Sequence, residues 1–166
     1  MKEIKLTEGY VTLVDDEDYD FLMQWEWQMR KNKRNFYAKR GFWKNGKMWE
    51  WSIHRLIMGN PPGMEIDHID GNGLNNQKSN LRVATFHENR MNRKRNKNNS
   101  TGYKGVYIRI ACKNGRKYVY IRAYIKINNK AINLGTYKTL KEAALAYDNA
   151  ARFYFGQFAS LNFKDI

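Results

Sequence analysis

An aspartate and a histidine stand side by side in the segment Glu65–Asn80, which reads EIDHIDGNGLNNQKSN. Neutral imidazole is a competent general base near pH 7, because its pKa of about 6.5 lies close to the operating pH. A carboxylate supplies the oxygen ligand that a hard divalent cation requires. Asp67 and His68 therefore have the chemistry for metal-assisted phosphodiester hydrolysis. The bland alternative is an ordinary surface pair followed by a long turn rich in glycine and asparagine.

Two asparagines follow this pair at diagnostic positions. Asn80 lies twelve residues after His68, and Asn89 lies nine residues after Asn80, inside NLRVATFHEN. The arrangement resembles the HNH endonuclease family in its zinc-free, homing-type form. The resemblance implies a ββα-metal fold, with the Asp-His pair on the first strand and the last asparagine on the helix.

The same resemblance implies a role for each matching residue. Asp67 would bind the metal, and His68 would be the general base. Asn80 would brace the loop and orient His68, which places it with the catalytic residues. Asn89 stands where the family name has a histidine and would be the second metal ligand. An amide oxygen suits Mg²⁺ or Mn²⁺, so we expect one such ion per active site and no zinc.

Two further histidines leave alternatives open. His54, in IHRLIMG, resembles the HRL segment that often precedes the motif, and it either supports the fold or touches phosphate. His87 lies two residues before Asn89, about 200° away around a helix, and should face elsewhere. We expect His87 on the surface or near DNA.

The charge of the chain is concentrated just after this motif. The net charge is +14, and residues 92–117 contain nine Lys and Arg residues but no Asp or Glu. Such a block favours a polyanion partner, above all nucleic acid, over a membrane surface or a solvated tail. No amphipathic basic helix accompanies the block, which counts against a membrane. The single cysteine, Cys112, excludes an internal disulfide and a cysteine-cluster zinc site.

The N-terminal region, residues 1–63, has the pattern of a mixed α/β extension. Strands are predicted over residues 11–14, 35–43 and 47–53, the last two joined by an Asn-Gly turn. A helix is predicted to start in the acidic residues 15–20, with Phe21, Leu22 and Trp25 as its apolar face. Two further helices are predicted over residues 54–58 and, within the motif, over residues 85–93. Residues 92–102 contain no apolar side chain and predict an extended linker with a reach of roughly 36–40 Å.

The C-terminal region predicts a small domain of three antiparallel strands packed on one helix. Residues 118–127 alternate cleanly, with Val119, Ile121, Ala123, Ile125 and Ile127 on one face and aromatic and cationic side chains on the other. Flanking strands are predicted over residues 105–110 and 130–137. The sequence Thr139-Leu140-Lys141-Glu142 is a capping box at the start of a helix.

Motifs in this region resemble the Apetala/ethylene-response-factor DNA-binding domain. They are YKGV at residue 103, LGTY at residue 134, the helix EAALAYDNAA at residue 142 and LNF at residue 161. In that family the sheet lies in the major groove, which implies the contact set Lys104, Arg109, Tyr118, Tyr120, Arg122 and Asn133. The linker cations Arg93, Lys94, Arg95 and Lys97 would add phosphate contacts. Plant members have tryptophan at the positions of Tyr118 and Asn133, so their base preference does not transfer.

The combined prediction is an α+β protein with four segments. These are residues 1–63 as the extension, 64–91 as the HNH motif, 92–102 as the linker and 103–166 as the DNA-binding domain. The resemblance implies a site-specific homing-type or phage-type endonuclease that leaves 5′-phosphate and 3′-hydroxyl ends and nicks one strand of double-stranded DNA per active site. A monomer on DNA is expected, with a dimer as the alternative. The competing function is a DNA-binding transcriptional regulator with an inactive HNH fold. Without a signal peptide or an apolar run of about 18 residues, a cytoplasmic location is expected.

Overall fold

The computed structural model describes residues 1–32, 35–93, 95–96 and 98–163. Within these residues the chain has small antiparallel sheets and four α-helices, which is a mixed α+β architecture. The chain divides into two compact units, Met1–Arg90 and Met91–Ile166. No helix in the described ranges is long and apolar enough to cross a membrane.

The first unit contains seven short strands among its described residues. Their bounds are β1 Lys2–Lys5, β2 Val11–Val14, β3 Gln28–Asn32, β4 Asn35–Lys44, β5 Lys47–Ser52, β6 Glu65–His68 and β7 Leu81–Ala84. They form the antiparallel pair β1-β2, the meander β3-β4-β5 and the antiparallel pair β6-β7. The strands predicted over residues 11–14, 35–43 and 47–53 are confirmed. β1 and β3 are too short and polar, as KEIK and QMRKN, to show an alternating pattern.

Three helices in the first unit connect these sheets. They are α1 Asp16–Leu22, α2 Ile53–Ile57 and α3 Phe86–Met91. The predicted helices over residues 15–20 and 54–58 are therefore confirmed within one or two residues. Of the apolar face expected behind α1, Leu22 is fully buried, whereas Phe21 is exposed. The main core consists of Ile4, Leu6, Val14, Leu22, Trp27, Ala38 and Ile53.

Two strands and a helix surround the Asp-His pair. β6 pairs with β7 so that His68 lies opposite Leu81 and Glu65 lies opposite Ala84. α3 follows immediately, starts with a capping box and ends at Met91, two residues before the end of the predicted range of 85–93. The Thr85 hydroxyl accepts a hydrogen bond from the backbone N–H of Glu88 (3.2 Å), and the Glu88 carboxylate accepts one from the backbone N–H of Thr85 (2.8 Å). The bonds that the carboxylate accepts from the backbone N–H and the hydroxyl of Thr85 lower the pKa of Glu88.

The second unit is a three-stranded antiparallel sheet with a helix packed against it. Its elements are β8 Val106–Lys113, β9 Arg116–Ile127, β10 Lys130–Tyr137 and α4 Leu140–Phe155. The strand order is β10-β9-β8, and all three strands and the helix match the predicted elements. Thr139 caps α4 by accepting a hydrogen bond from Glu142 N at 3.1 Å. The interface between the sheet and α4 buries side chains from both. The sheet contributes Val106, Ala123 and Ile125, and the helix contributes Ala143, Ala144, Tyr147 and Ala151.

A glycine before β8 is required by this packing. Gly105 has a φ of +75°, and a Cβ at this position would lie 1.9 Å from the ring of Tyr147. A side chain larger than hydrogen therefore cannot fit between the strand and α4. This gives the glycine of the YKGV motif a structural reason that is independent of DNA.

The expectation of a fully extended linker over residues 92–102 is wrong. The Lys104 ammonium donates hydrogen bonds to the backbone oxygens of Met91 (3.1 Å) and Arg93 (2.7 Å), so these two residues lie against Lys104 within the second unit. Thr101 is buried, and its hydroxyl donates to Val106 O at 3.1 Å. In this segment, polar side chains that bind backbone carbonyls take the place of apolar contacts. A hydrophobic pattern cannot predict such contacts.

Candidate active site and nucleic-acid interface

His68 lies at the end of β6 and is held by a chain of buried hydrogen bonds. Its Nε2 atom is 3.1 Å from Oδ1 of Asn76, and Nδ2 of Asn76 donates to the hydroxyl of Thr12 at 2.7 Å. The Thr12 hydroxyl in turn donates to Leu74 O at 2.8 Å. Because an amide oxygen can only accept, this network assigns the proton to Nε2 and the proton-accepting role to Nδ1. The ring of His68 is thereby held in one orientation and one tautomer.

The loop between His68 and β7 is organised by Asn80. The side-chain oxygen of Asn80 accepts from Asp70 N (3.0 Å), and its Nδ2 atom donates to Asp70 Oδ1 (3.0 Å) and Asn75 O (2.8 Å). Asn80 thus holds the two ends of the loop together, whereas Asn76 contacts the His68 ring. The sequence alone does not distinguish Asn76, because several asparagines of the loop are alike in type.

The ring of His68 packs in a small aromatic cluster. Its centroid lies 5.2 Å from that of His54, in an edge-on arrangement, and 6.0 Å from that of Tyr37. The Tyr37 and His54 centroids are 5.7 Å apart. Nδ1 of His54 is buried and has no hydrogen-bond partner among the described residues. Tyr37 comes from β4, far away in sequence, and no sequence signal marked it.

Burial keeps both histidines of this cluster neutral. Desolvation lowers the pKa of His54 to about 3, with additional lowering from His68 and nearby cations. Desolvation also lowers the pKa of His68, although the Asn76 hydrogen bond and the Asp70 and Asp67 carboxylates partly oppose this change. A neutral imidazole is the form that can accept a proton.

Asp67 is buried and paired with a cation on the neighbouring strand. Nε and Nη2 of Arg82 lie 2.8 Å and 2.5 Å from Asp67 Oδ2, and the two residues face each other across β6 and β7. The guanidinium offsets the cost of burying the Asp67 charge and fixes the orientation of its carboxylate. The ion pair therefore holds the Asp67 carboxylate in one orientation.

Asn89, on α3, reaches back to β6. Its Nδ2 atom donates to Oε2 of Glu65 at 2.8 Å. Glu65 lies two residues before Asp67, so both carboxylates are on the same face of the strand. Carboxylate and amide oxygens of this kind fit a hard divalent cation such as Mg²⁺ and do not favour a thiophilic metal. Among the described residues, no group of three or more His, Cys, Asp or Glu side chains could hold a metal ion. A metal site in this region would therefore need an amide oxygen as well.

The outer face of the sheet in the second unit carries a set of tyrosines and cations. Residues that are directly opposite in an antiparallel pair project on the same side, and Arg109 pairs with Tyr120 while Asn133 pairs with Tyr124. We call this surface the tyrosine face; it consists of Tyr107, Arg109, Tyr118, Tyr120, Arg122, Tyr124 and Asn133. A depression of about 400 Å³ on it is lined by Tyr107, Tyr124, Ala131 and Asn133.

The predicted DNA-contact residues are distributed unevenly. Five of the six in the second unit, namely Arg109, Tyr118, Tyr120, Arg122 and Asn133, lie together on the tyrosine face. Lys104 does not, because its ammonium binds the backbone oxygens of Met91 and Arg93; burial lowers its pKa to about 8. The Arg93 and Arg95 side chains are exposed, and His87 is exposed on α3. Lys94 and Lys97 lie outside the described residues.

Comparisons with known proteins bear on the first unit in particular. The family model described as HNH endonuclease matches residues 53–91, which contain α2, β6, the loop, β7 and α3. The chain is 42% identical over 79 residues to "Protein 3.8" of Escherichia phage T7; the match covers 47% of this chain and 60% of the phage protein. It is 31% identical over 147 residues to an uncharacterized HNH endonuclease of Acanthamoeba polyphaga mimivirus, covering 85% of this chain and 73% of the viral protein. No solved structure matches the chain. The family model, the extent of the mimivirus match and the strand-strand-helix site together show that this chain belongs to the HNH endonuclease family.

Proposed function

We propose that the first unit hydrolyses phosphodiester bonds in double-stranded DNA, with His68 as the general base and one Mg²⁺ or Mn²⁺ ion as cofactor. The observation that carries this proposal is the contact of 3.1 Å between His68 Nε2 and Asn76 Oδ1 beside the buried Asp67. A surface Asp-His pair would have no reason for a buried network that selects one tautomer. The strand-strand-helix arrangement supports a ββα-metal core.

The residues around His68 have complementary tasks in this reaction. His68 takes a proton from the attacking water at Nδ1, and the hydrogen bond to Asn76 keeps the ring aligned as it becomes charged. The carboxylates of Asp70 and Asp67 favour the charged ring, since both raise the pKa of His68. Asp67 and Asn89 would hold the divalent ion, which when bound would supply charge stabilisation at the phosphate and at the departing 3′-oxygen.

The tyrosine face supports a second role for the chain, the recognition of DNA. Aromatic side chains and arginines on an exposed sheet can stack on bases and bind phosphates. Its likeness to the Apetala/ethylene-response-factor sheet suggests a site-specific enzyme of the homing or phage type. With one active site per chain, a monomer on DNA would nick one strand, and a double-strand break would need two events or a dimer.

A plasmid-nicking assay tests this proposal directly. Supercoiled DNA should be converted to the open circular form by the wild-type chain with Mg²⁺ or Mn²⁺, and EDTA should stop the conversion. Added zinc should not be required. DNA binding without any cleavage in either metal would instead indicate a DNA-binding regulator with an inactive site. Asp67→Ala serves as the matched inactive variant and excludes a contaminating nuclease.

A further inference from the structure

Glu65 is a charged group of the site to which the motif gives no role. It is half-buried on β6, on the same face as Asp67, and its carboxylate contacts one side chain of α3. That contact is the 2.8 Å hydrogen bond from Nδ2 of Asn89 to Oε2 of Glu65. The bond joins the first strand of the site to its helix across 24 residues of sequence.

This hydrogen bond decides which way the amide of Asn89 faces. A carboxylate can only accept, so Glu65 selects the rotamer in which the NH₂ group faces it and rejects the flipped one, which would bring two acceptors together. The amide oxygen then points away from Glu65, since the two atoms diverge from one planar carbon. The amide oxygen is the only atom of the asparagine side chain that can bind a hard cation.

We propose that Glu65 is a positioning residue, which holds the amide of Asn89 so that its oxygen is presented to the divalent cation. This inference rests on the proposed function, because it assigns Glu65 a part in the metal site of the nuclease. Partners that orient metal ligands in this way typically change metal affinity by about 10–100-fold when they are removed.

The backbone of α3 does not fix the orientation of the Asn89 side-chain amide. The helix is only six residues long, and its capping box fixes the backbone at Thr85 and Glu88. The backbone N–H of Asn89 bonds to Thr85 O at 3.0 Å, so the main chain is held while the side-chain amide can still rotate. Glu65 supplies the restraint on that rotation.

The experiment measures Mn²⁺ affinity of the full chain by electron paramagnetic resonance, together with nicking activity. We expect Glu65→Ala to weaken Mn²⁺ binding by about 10–100-fold. Glu65→Gln keeps an acceptor oxygen at the same reach but adds a donor, so it favours the same amide rotamer of Asn89 less strictly and should weaken binding by less than Glu65→Ala does. Glu65→Asp shortens the side chain and should behave like Glu65→Ala. Glu26→Ala, at an exposed position of the same unit, is the control for the loss of one negative charge.

A double variant separates positioning from direct binding of the ion. If Glu65 acts through Asn89, the pair Glu65→Ala and Asn89→Ala should lose no more affinity than Asn89→Ala alone. Losses that add would overturn the proposal, since Glu65 would then act independently of Asn89. A Glu65→Gln variant as weak as Glu65→Ala would also overturn it, because charge rather than hydrogen bonding would matter.

Folding of each variant is checked by tryptophan fluorescence, because all five tryptophans lie in the first unit. If Glu65→Ala does not fold, the Mn²⁺ affinities of Glu65→Asp and Glu65→Gln are compared instead. Tighter binding by Glu65→Gln supports the positioning role of Glu65, and binding that is no tighter overturns it. Normal Mn²⁺ affinity in folded Glu65→Ala, with metal-dependent nicking by the wild type, would reject only the role of Glu65. A wild-type chain that neither binds Mn²⁺ nor nicks DNA would reject the proposed function and this inference together.

Discussion

The two units present their candidate functional side chains in opposite ways. In the first unit, Asp67 and His68 are 5% exposed and each is bonded to a specific neighbour. In the second unit, the tyrosine face is open, and Tyr118 and Tyr120 are 41% and 37% exposed. Buried groups gain from a low local dielectric and fixed geometry, which chemistry needs. Exposed groups are free to follow the shape of a long polyanion, which recognition needs.

The difference implies that the units fail in different ways when they are altered. A change in the first unit should affect the rate of cleavage or the stability of that unit. A change on the tyrosine face should affect DNA affinity and its salt dependence. The following experiments test this separation.

Removal of the general base should have the largest effect. We expect His68→Ala to reduce the nicking rate by about 10²–10⁴-fold, because proton transfer by a positioned base contributes this much. DNA affinity should be nearly unchanged, since the tyrosine face is intact. Nicking under saturating DNA and a gel-shift assay are measured on the same preparation. His87→Ala, exposed on α3, is the control. If His68→Ala keeps more than a tenth of the activity, His68 is not the base.

The buried His54 should make the first unit sensitive to acid. In the unfolded chain His54 binds a proton near its ordinary pKa of 6.5, whereas in the folded unit its pKa is about 3. Unfolded chains therefore bind more protons between these values, and the free energy of unfolding falls as the pH drops from about 6.5 towards 3. The contribution of one such group is at most about 1.4 kcal/mol per pH unit.

The measurement is urea unfolding followed by tryptophan fluorescence at several pH values, which reports on the first unit alone. His54→Phe keeps a ring but cannot bind a proton, so its stability should depend less steeply on pH than that of the wild type. His87→Phe should leave the slope unchanged, because His87 is exposed. Equal slopes for wild type and His54→Phe would show that His54 is not buried in the neutral form.

Much of the architecture follows from sequence patterns, for identifiable reasons. β9 has twelve residues that alternate regularly, and α4 has sixteen residues behind a capping box. Long elements with such regular patterns can be predicted from the sequence. The Asp67-His68 pair and its spacing to Asn89 point to the right region because the motif is local. Glu65 could have been found in the same way, since strand alternation puts it on the face of Asp67.

The remaining contacts depend on packing between distant segments. Asn76 reaches Thr12 across 64 residues, and Tyr37 reaches His68 from a different sheet. Nothing in residue type distinguishes Asn76 from its neighbour Asn75. Lys104 shows the converse, because the resemblance to the Apetala/ethylene-response-factor domain implies a DNA contact, yet its ammonium binds backbone carbonyls.

An aromatic side chain on the tyrosine face should contribute a moderate amount of DNA affinity. We expect Tyr120→Ala to weaken binding by about 1–3 kcal/mol if its ring stacks on a base or sugar. The nicking rate at saturating DNA should stay the same, because Tyr120 is remote in sequence from His68 and lies in the other unit. Phe153→Ala, an exposed aromatic on α4, is the matched control. A loss of affinity in the control but not in Tyr120→Ala would assign binding to the helix side.

The smallest expected effect distinguishes a displayed cation from an internal one. Arg109 lies on the tyrosine face, so Arg109→Gln should reduce the slope of log affinity against log salt by about 0.9, the value for one lost phosphate contact. Lys104→Gln removes the same charge, but the ammonium of Lys104 is bonded to the oxygens of Met91 and Arg93. Its replacement should leave the slope unchanged and instead loosen residues 91–93, which hydrogen exchange of that segment would report. Binding is measured by fluorescence anisotropy at several salt concentrations. An equal fall in slope for both variants would mean that Lys104 leaves its carbonyl partners to bind phosphate. The distinction between Arg109 as a displayed cation and Lys104 as an internal one would then be wrong.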